Sequence, residues 1–205
     1  MSEKMIALIS GSHRINSQSI KVTRYLKARL ESCMPDFDTC ILDLAERELP
    51  LWNEEQWDLD AYSWNPSWGE TRGMLQRALG IIVVSPEWGG MVPAALKNLF
   101  LLCGPHDIAH KPGLIVGVSS TQGGCYPVAE LRMSSYKNTH ICYLPNHLVI
   151  RQVRSVLNDA EPAPAEAELR ERIDSTLEVF AAYVEGMVAV RSKVLHHLEK
   201  YPYGM

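Results

Sequence analysis

Three short stretches hold the residue types that could do chemistry. "GSHRINSQS" (11–19) gathers the hydroxyls of Ser12, Ser17 and Ser19 around the guanidinium of Arg14. Where such a turn opens a helix, free backbone N–H groups and the positive helix end join them. That donor set suits a single phosphate; the dinucleotide pattern G-x-G-x-x-G and the triphosphate pattern G-x-x-x-x-G-K-[ST] are both missing. Alone, the stretch is equally compatible with a plain serine N-cap beside a solvated arginine. "SPEWGGMVPAALKN" (85–98) supplies Pro86 to fix the chain direction, Glu87, the aromatic face of Trp88, and Gly89 and Gly90. A glycine pair lets backbone come close to a flat ligand. "SSTQGGCY" (119–126) offers Ser120, Thr121 and Gln122 for a polar ring edge, with Gly123 and Gly124 again allowing close approach. A phosphate at the first stretch and a flat heterocycle between the other two describe a bound mononucleotide.

The surrounding pattern places these stretches. "MIALIS" is a continuous apolar run, as in a strand buried on both faces. Val22, Leu26, Leu30 and Cys33 draw an apolar helical stripe that Pro35 ends. Further strands are predicted over 39–44, 80–85, 113–120 and within 140–150, where Pro145 implies a bulge or an edge position. Helices are predicted over 70–79, 92–103 and 127–138. Strand and helix alternate throughout, which makes an α/β chain with a parallel sheet and helices on both faces. Ligands of such sheets bind outside the carboxyl ends of the strands. The three stretches follow strands one, three and four and belong at that end.

The chain of 205 residues reads as a single domain over 1–205. An aromatic insertion over 51–69 carries Trp52, Trp57, Trp64 and Trp68, read as a lid over the ligand or as a cluster covering the sheet. A long C-terminal helix is expected over 166–199, open to a break at Gly186, its far half packing on a second subunit or folding back over the core. That length points to a homodimer or homotetramer. Net charge is −4 without a basic block, which argues against nucleic acid or an anionic membrane as partner. No apolar run approaches a membrane span, and the first ten residues read as a strand rather than a leader. Five cysteines without a C-x-x-C read as small buried groups in a reducing, cytoplasmic setting. Cys103, His106, Asp107 and His110 have metal-like spacing but no second cluster, so a polar connection is expected and no metal. His196 and His197, adjacent on a helix, face different ways and read as surface residues.

The motifs resemble those of the NADPH-dependent FMN reductases, a family of flavodoxin-like fold. The family's G-S-x-R-x-x-S-x-N stands here as Gly11-Ser12-His13-Arg14-Ile15-Asn16-Ser17-Gln18-Ser19. Its T-P-E-Y-N-G-S-x-P-x-x-L-K-N stands as residues 85–98, with Trp88 for Tyr and Gly89 for Asn, and Ser19 replaces the Asn of the first motif. "HKPGLIVGVSSTQGG" resembles the family's K-P-x-x-x-V strand and Gly-rich loop, and the likeness runs from about residue 5 to 155. The resemblance implies a five-stranded doubly wound sheet in the order 2-1-3-4-5. It implies that Ser12, Arg14, Ser17 and Ser19 hold the phosphate of FMN. Pro86, Glu87, Trp88, Gly89 and Gly90, with Ser120, Thr121, Gln122, Gly123 and Gly124, would frame the isoalloxazine. Hydride would pass from NADPH or NADH to the flavin and electrons on to a small acceptor such as a flavin or quinone. The flavin does that chemistry, so no catalytic side chain is expected. Backbone N–H groups at Gly123 and Gly124 are expected to stabilise charge on the reduced ring. Two other readings stay open: an FMN-binding electron carrier or regulatory module with little turnover, and a phosphate-binding α/β hydrolase. The second lacks a G-x-S-x-G elbow.

Overall fold

Continuous apolar runs form the central sheet because both of its faces are covered. The computed structural model describes residues 4–57, 60–158, 162 and 164–204, with backbone alone at Trp57 and Ala165. The Trp57 side chain of the expected insertion and residues 58–59 lie outside that description. Strands β1 (Met5–Ser10), β2 (Asp38–Asp43), β3 (Ala78–Pro86), β4 (Pro112–Val118) and β5 (Cys142–Ile150) pair in parallel in the order β2-β1-β3-β4-β5. This is the expected flavodoxin-like order. Pro145 lies on the edge strand β5, whose register against β4 shifts between Gly113 and Ile115. Both readings of that proline hold, since a residue without an N–H fits only where the ladder is interrupted or ends.

The strand alternation divides the core. Ile6, Leu8, Ile82, Val84, Leu114 and Val116 face α1 (Gln18–Cys33) and α6 (Pro164–Val194). Ala7, Ile9, Ile81, Val83 and Ile115 face α3 (Pro66–Arg77), α4 (Ala94–Leu102) and α5 (Tyr126–Ser134). A short α2 (Ala61–Trp64) precedes α3. Ser17 caps α1, its Oγ accepting the Ile20 N–H at 3.2 Å. That cap satisfies one orphan donor and fixes where the first turn ends.

Several helices depart from the sequence pattern. α3 starts at Pro66 rather than at residue 70, because Asn65 caps it and proline suits its first position. Cys33 is exposed, so the buried stripe of α1 ends at Leu30. α6 continues through Gly186 as far as Val194, and a 3-10 turn, Leu195–Glu199, follows. An interior glycine weakens a helix by only about 1 kcal/mol, and the buried Phe180 and Val184 anchor this one just before it. The chain then turns back onto its own core. Arg191 Nε donates to the Ala109 carbonyl at 3.0 Å, and Leu198 is buried. Among the described residues no helix is long and apolar enough to cross a membrane.

Candidate functional site

The three turns meet at the carboxyl end of the sheet. Gly11 leaves β1 by donating its N–H to the Val84 carbonyl of β3 at 2.8 Å. A Cβ there would stand 2.6 Å from Leu96 Cδ2 and 2.9 Å from that carbonyl oxygen, so only glycine lets the turn start so close to β3. Ser12 is buried and accepts the Arg14 N–H at 3.2 Å. Ser12 and Ser17 both accept from backbone, which leaves each O–H free to donate. Asn16 takes a left-handed φ of 54°, a conformation asparagine tolerates, and turns the chain into α1. The Arg14 side chain is exposed and has no hydrogen bond or ion pair among the described residues. Ser19 is buried on the first turn of α1. Two buried oxygens flanking this turn, Ser10 Oγ and Gln18 Oε1, have no partner.

The second turn is a tight hairpin. Trp88 and Met91 exchange both backbone hydrogen bonds, at 3.0 and 3.1 Å, around Gly89 (φ 57°) and Gly90 (φ 75°). Two consecutive positive φ values require Gly-Gly or Asn-Gly, the residues of a type I′ turn. The glycines are thus present for the turn itself, since a Cβ would meet nothing within 4 Å at Gly90. The asparagine-to-glycine departure at position 89 preserves the same backbone. The ring of Trp88 meets His13 of the first turn edge-on, with centroids 4.7 Å apart.

Beyond this turn the motif residues hold neighbouring elements. Lys97 pairs with Glu130 of α5 at 2.5 Å, and Glu130 also accepts the Val92 N–H at 2.7 Å. Burial alone would raise the Glu130 carboxyl, but the ammonium and the amide hold it below its ordinary value. Asn98 pins the aromatic segment by donating to the Pro50 carbonyl at 2.8 Å and accepting the Trp52 N–H at 2.9 Å.

The third turn is held from two sides. Glu87 Oε2 accepts the Gly124 N–H at 2.6 Å and the Tyr126 N–H at 3.3 Å. Arg151 donates Nε to the Gln122 carbonyl at 2.7 Å and Nη2 to Cys125 Sγ at 3.3 Å. The Gln152 N–H adds a bond to the Thr121 carbonyl at 2.9 Å. The Gly124 amide therefore belongs to Glu87 and is not free for a ring, which corrects the expectation for that amide. Gly124 itself has φ 101°, and a Cβ there would come within 2.8 Å of Val149, so a methyl strains the backbone whatever is bound. Ser120, Thr121 and Gln122 are exposed. Residues 151–158, which the sequence pattern did not single out, tie the third turn to α1. Lys21 of α1 binds the carbonyls of Val153 and Val156, at 2.5 and 2.8 Å. The segment carries no glycine or phosphate-type motif, so it had no local signal.

A family model described as NADPH-dependent FMN reductase matches residues 5–154. The chain belongs to the NADPH-dependent FMN reductase family. It is 24% identical over 147 residues to an NADPH azoreductase of Bacillus sp. (strain OY1-2), covering 71% of this chain and 75% of that one. It is 30% identical over 119 residues to a quinone reductase of Pseudomonas putida, covering 56% and 59%. Among solved structures, FerB, a flavoenzyme NAD(P)H:(acceptor) oxidoreductase from Paracoccus denitrificans, superposes with a TM-score of 0.71 at 17% identity. The match covers 90% of this chain and 98% of that one. At that identity the likeness concerns the fold.

As in its family, the protein uses FMN and NAD(P)H, and the donors of its first turn suit a phosphate. Two hydroxyls with spare O–H donors, a guanidinium without a partner and the start of α1 converge there, beside two buried oxygens lacking partners. A dianion at a helix N-terminus complements the hydroxyls, the guanidinium and the free amides, whereas Gln18 Oε1 is itself an acceptor and is no part of that set. The aromatic insertion lies elsewhere. Trp68 is buried in the core, with Trp64 packed against it, so these two cover the sheet rather than forming a lid. Trp52 lines a groove of about 1350 Å³ along α4 and α5, together with Arg72, Leu101 and Glu130.

Proposed function

We propose that the FMN of this reductase lies across the carboxyl ends of β1, β3 and β4. Its phosphate sits on Ser12, Arg14, Ser17 and Ser19, and its ring lies between the second and third turns. Pro86, Glu87, Trp88, Gly89 and Gly90 frame one side, and Ser120, Thr121, Gln122, Gly123 and Gly124 the other. The observation carrying this reading is the unfilled donor set of the first turn beside two turns already pinned to each other. Bound FMN supplies the hydride and electron transfer between NAD(P)H and the acceptor. The chain's own residues bind the phosphate, orient the ring and keep one face of it against protein. The names of the two relatives support a small conjugated acceptor, a quinone or an azo compound.

The enzyme works as a homo-oligomer in the cytoplasm. The turned-back end of α6 gives the oligomer little support, and the stronger case comes from α4 and α5. Leu101, which lines the groove, and Tyr126 and Met133 of α5 are 62, 67 and 77% exposed. A ridge next to a groove on one face suits a two-fold contact with a second copy. Five free thiols suit a reducing compartment.

The test is a visible spectrum of the purified protein, then titration of the stripped protein with FMN and steady-state NAD(P)H oxidation with a quinone. One flavin per chain and sustained turnover support the reading. Binding without turnover would make the chain a carrier, and absence of binding would remove FMN from the first turn. Light scattering of the wild type and of Leu101→Glu checks the oligomer, with a shift towards monomer expected for the variant.

A further inference from the structure

Glu87 sits where the second turn meets the third. It follows Pro86 at the end of β3, and its own N–H donates to the Val118 carbonyl of β4 at 3.0 Å. Its half-buried carboxylate then reaches over the third turn. Oε2 takes the amides of Gly124 and Tyr126, and Oε1 fills the space where a Cβ at Gly123 would be, 2.7 Å away. Among the described residues no lysine, arginine or histidine pairs with this carboxylate. The guanidinium that touches the same turn, that of Arg151, binds Gln122 and Cys125 instead. The charge of Glu87 is thus met by backbone amides alone, which hold a carboxylate well but do not cancel its field.

We propose that Glu87 is a positioning residue with a second, electrostatic role. It bolts the Gly-rich turn into its ring-binding shape before the flavin arrives, and its uncancelled charge makes the site favour oxidised over reduced FMN. This rests on the proposed placement of the ring between the second and third turns. A preformed turn reduces the ordering cost of binding. A fixed negative charge beside a ring that gains electrons opposes that gain, as does withholding the Gly124 amide from it. Both effects leave the reduced flavin a stronger donor to an acceptor. Reading the three turns as ring contacts alone gives Glu87 no such part.

The test uses the full chain with Glu87→Gln and Glu87→Ala. In the apo protein, hydrogen exchange at Gly124 and Tyr126 is expected to quicken by about tenfold or more in Glu87→Ala and by less in Glu87→Gln, which keeps one acceptor. In the holo protein, the affinity ratio of reduced to oxidised FMN is expected to rise about tenfold in Glu87→Gln, a rise of about 30 mV in the two-electron potential. A fold that survives is checked by circular dichroism of both variants. Unchanged exchange in Glu87→Ala would overturn the bolt, and an unchanged potential in Glu87→Gln would overturn the electrostatic role. If the wild type binds no FMN, the placement of the ring fails, while the exchange measurement still decides whether Glu87 holds the turn.

Discussion

Two polar clusters in this protein each include an arginine and a glutamine and have opposite characters. The first turn, at the carboxyl end of the sheet, leaves Arg14 without a partner, two serine hydroxyls with protons to give, and two buried oxygens unmatched. The second cluster lies at the amino end, just before β4. There the buried carboxylate of Asp107 takes Arg72 Nε at 2.7 Å, Gln76 Nε2 at 2.8 Å and the Gly104 N–H at 2.7 Å. Buried Lys111 donates to the carbonyls of Leu75 and Gln76, at 2.6 and 2.8 Å, and so closes the carboxyl end of α3. Among the described residues the Asp107 carboxylate is taken up by these three donors, although its sequence spacing invites a metal. Unfilled hydrogen-bonding capacity distinguishes a site from a strut, and residue type does not.

The largest consequence of that difference concerns Asp107. Replacing it with alanine strips three donors of their acceptor and removes a negative charge that acts on Lys111. Breaking such a buried arrangement costs about 3–5 kcal/mol. We expect Asp107→Ala to lose most of its thermal stability while the folded fraction binds FMN as the wild type does. A variant as stable as the wild type would mean that the cluster is not a strut.

Lys111 adds a pH dependence of the same origin. Burial, and next the nearby Arg191, bring its pKa down from 10.5 to about 7, against the opposing pull of Asp107. Below about pH 7 both folded and unfolded chains hold the proton, and the full cost of burying the charge applies. Between about 7 and 10.5 the unfolded chain still holds it and the folded chain has released it, so stability rises with pH there. Burial also raises the Cys103 thiol and the Tyr143 phenol, which lowers stability at the alkaline end; the Tyr143 part is common to wild type and variant, whereas Lys111 draws the Cys103 thiol part of the way back down. The wild-type minus Lys111→Met difference in unfolding free energy should therefore climb across this window. A flat difference would mean that Lys111 is buried with its charge intact.

The first turn should respond in the opposite sense. Arg14→Gln removes an exposed group with no protein partner, so stability should stay within about 0.5 kcal/mol. FMN affinity should fall about tenfold, or ~1.4 kcal/mol, in a fluorescence titration. Ser17→Ala should show both effects, because that hydroxyl also caps α1, a loss of about 1 kcal/mol. Loss of stability in Arg14→Gln without loss of affinity would make the first turn a strut as well.

The sheet was legible chiefly through β1, β3 and β4, which are buried on both faces and read as unbroken apolar runs. The three turns were legible because glycine, serine and proline cluster where strands end. Other features depended on partners distant in sequence. The direction of the Glu87 carboxylate is set by amides nearly forty residues away. The segment 151–158 reads as ordinary polar chain until Lys21 and the third turn tie it down. Asp107 has metal-like spacing in sequence, and its actual partners, Arg72 and Gln76, come from α3, more than thirty residues away.

The smallest effect belongs to Gly89, where this chain departs from the family pattern. Its φ of 57° lies in the left-handed region that asparagine also accepts, and a Cβ there would meet only Met91 Cε, at 3.8 Å. Asn-Gly forms the same type I′ turn as Gly-Gly. Gly89→Asn should therefore leave thermal stability within about 0.5 kcal/mol, whereas Gly90→Val, a branched residue at φ 75°, should cost about 1–2 kcal/mol. With the backbone unchanged, any shift in FMN affinity in Gly89→Asn has to come from the added amide itself. A tighter complex would place position 89 against the ring, and an unchanged one would leave Trp88 as the side chain with which the second turn meets the flavin.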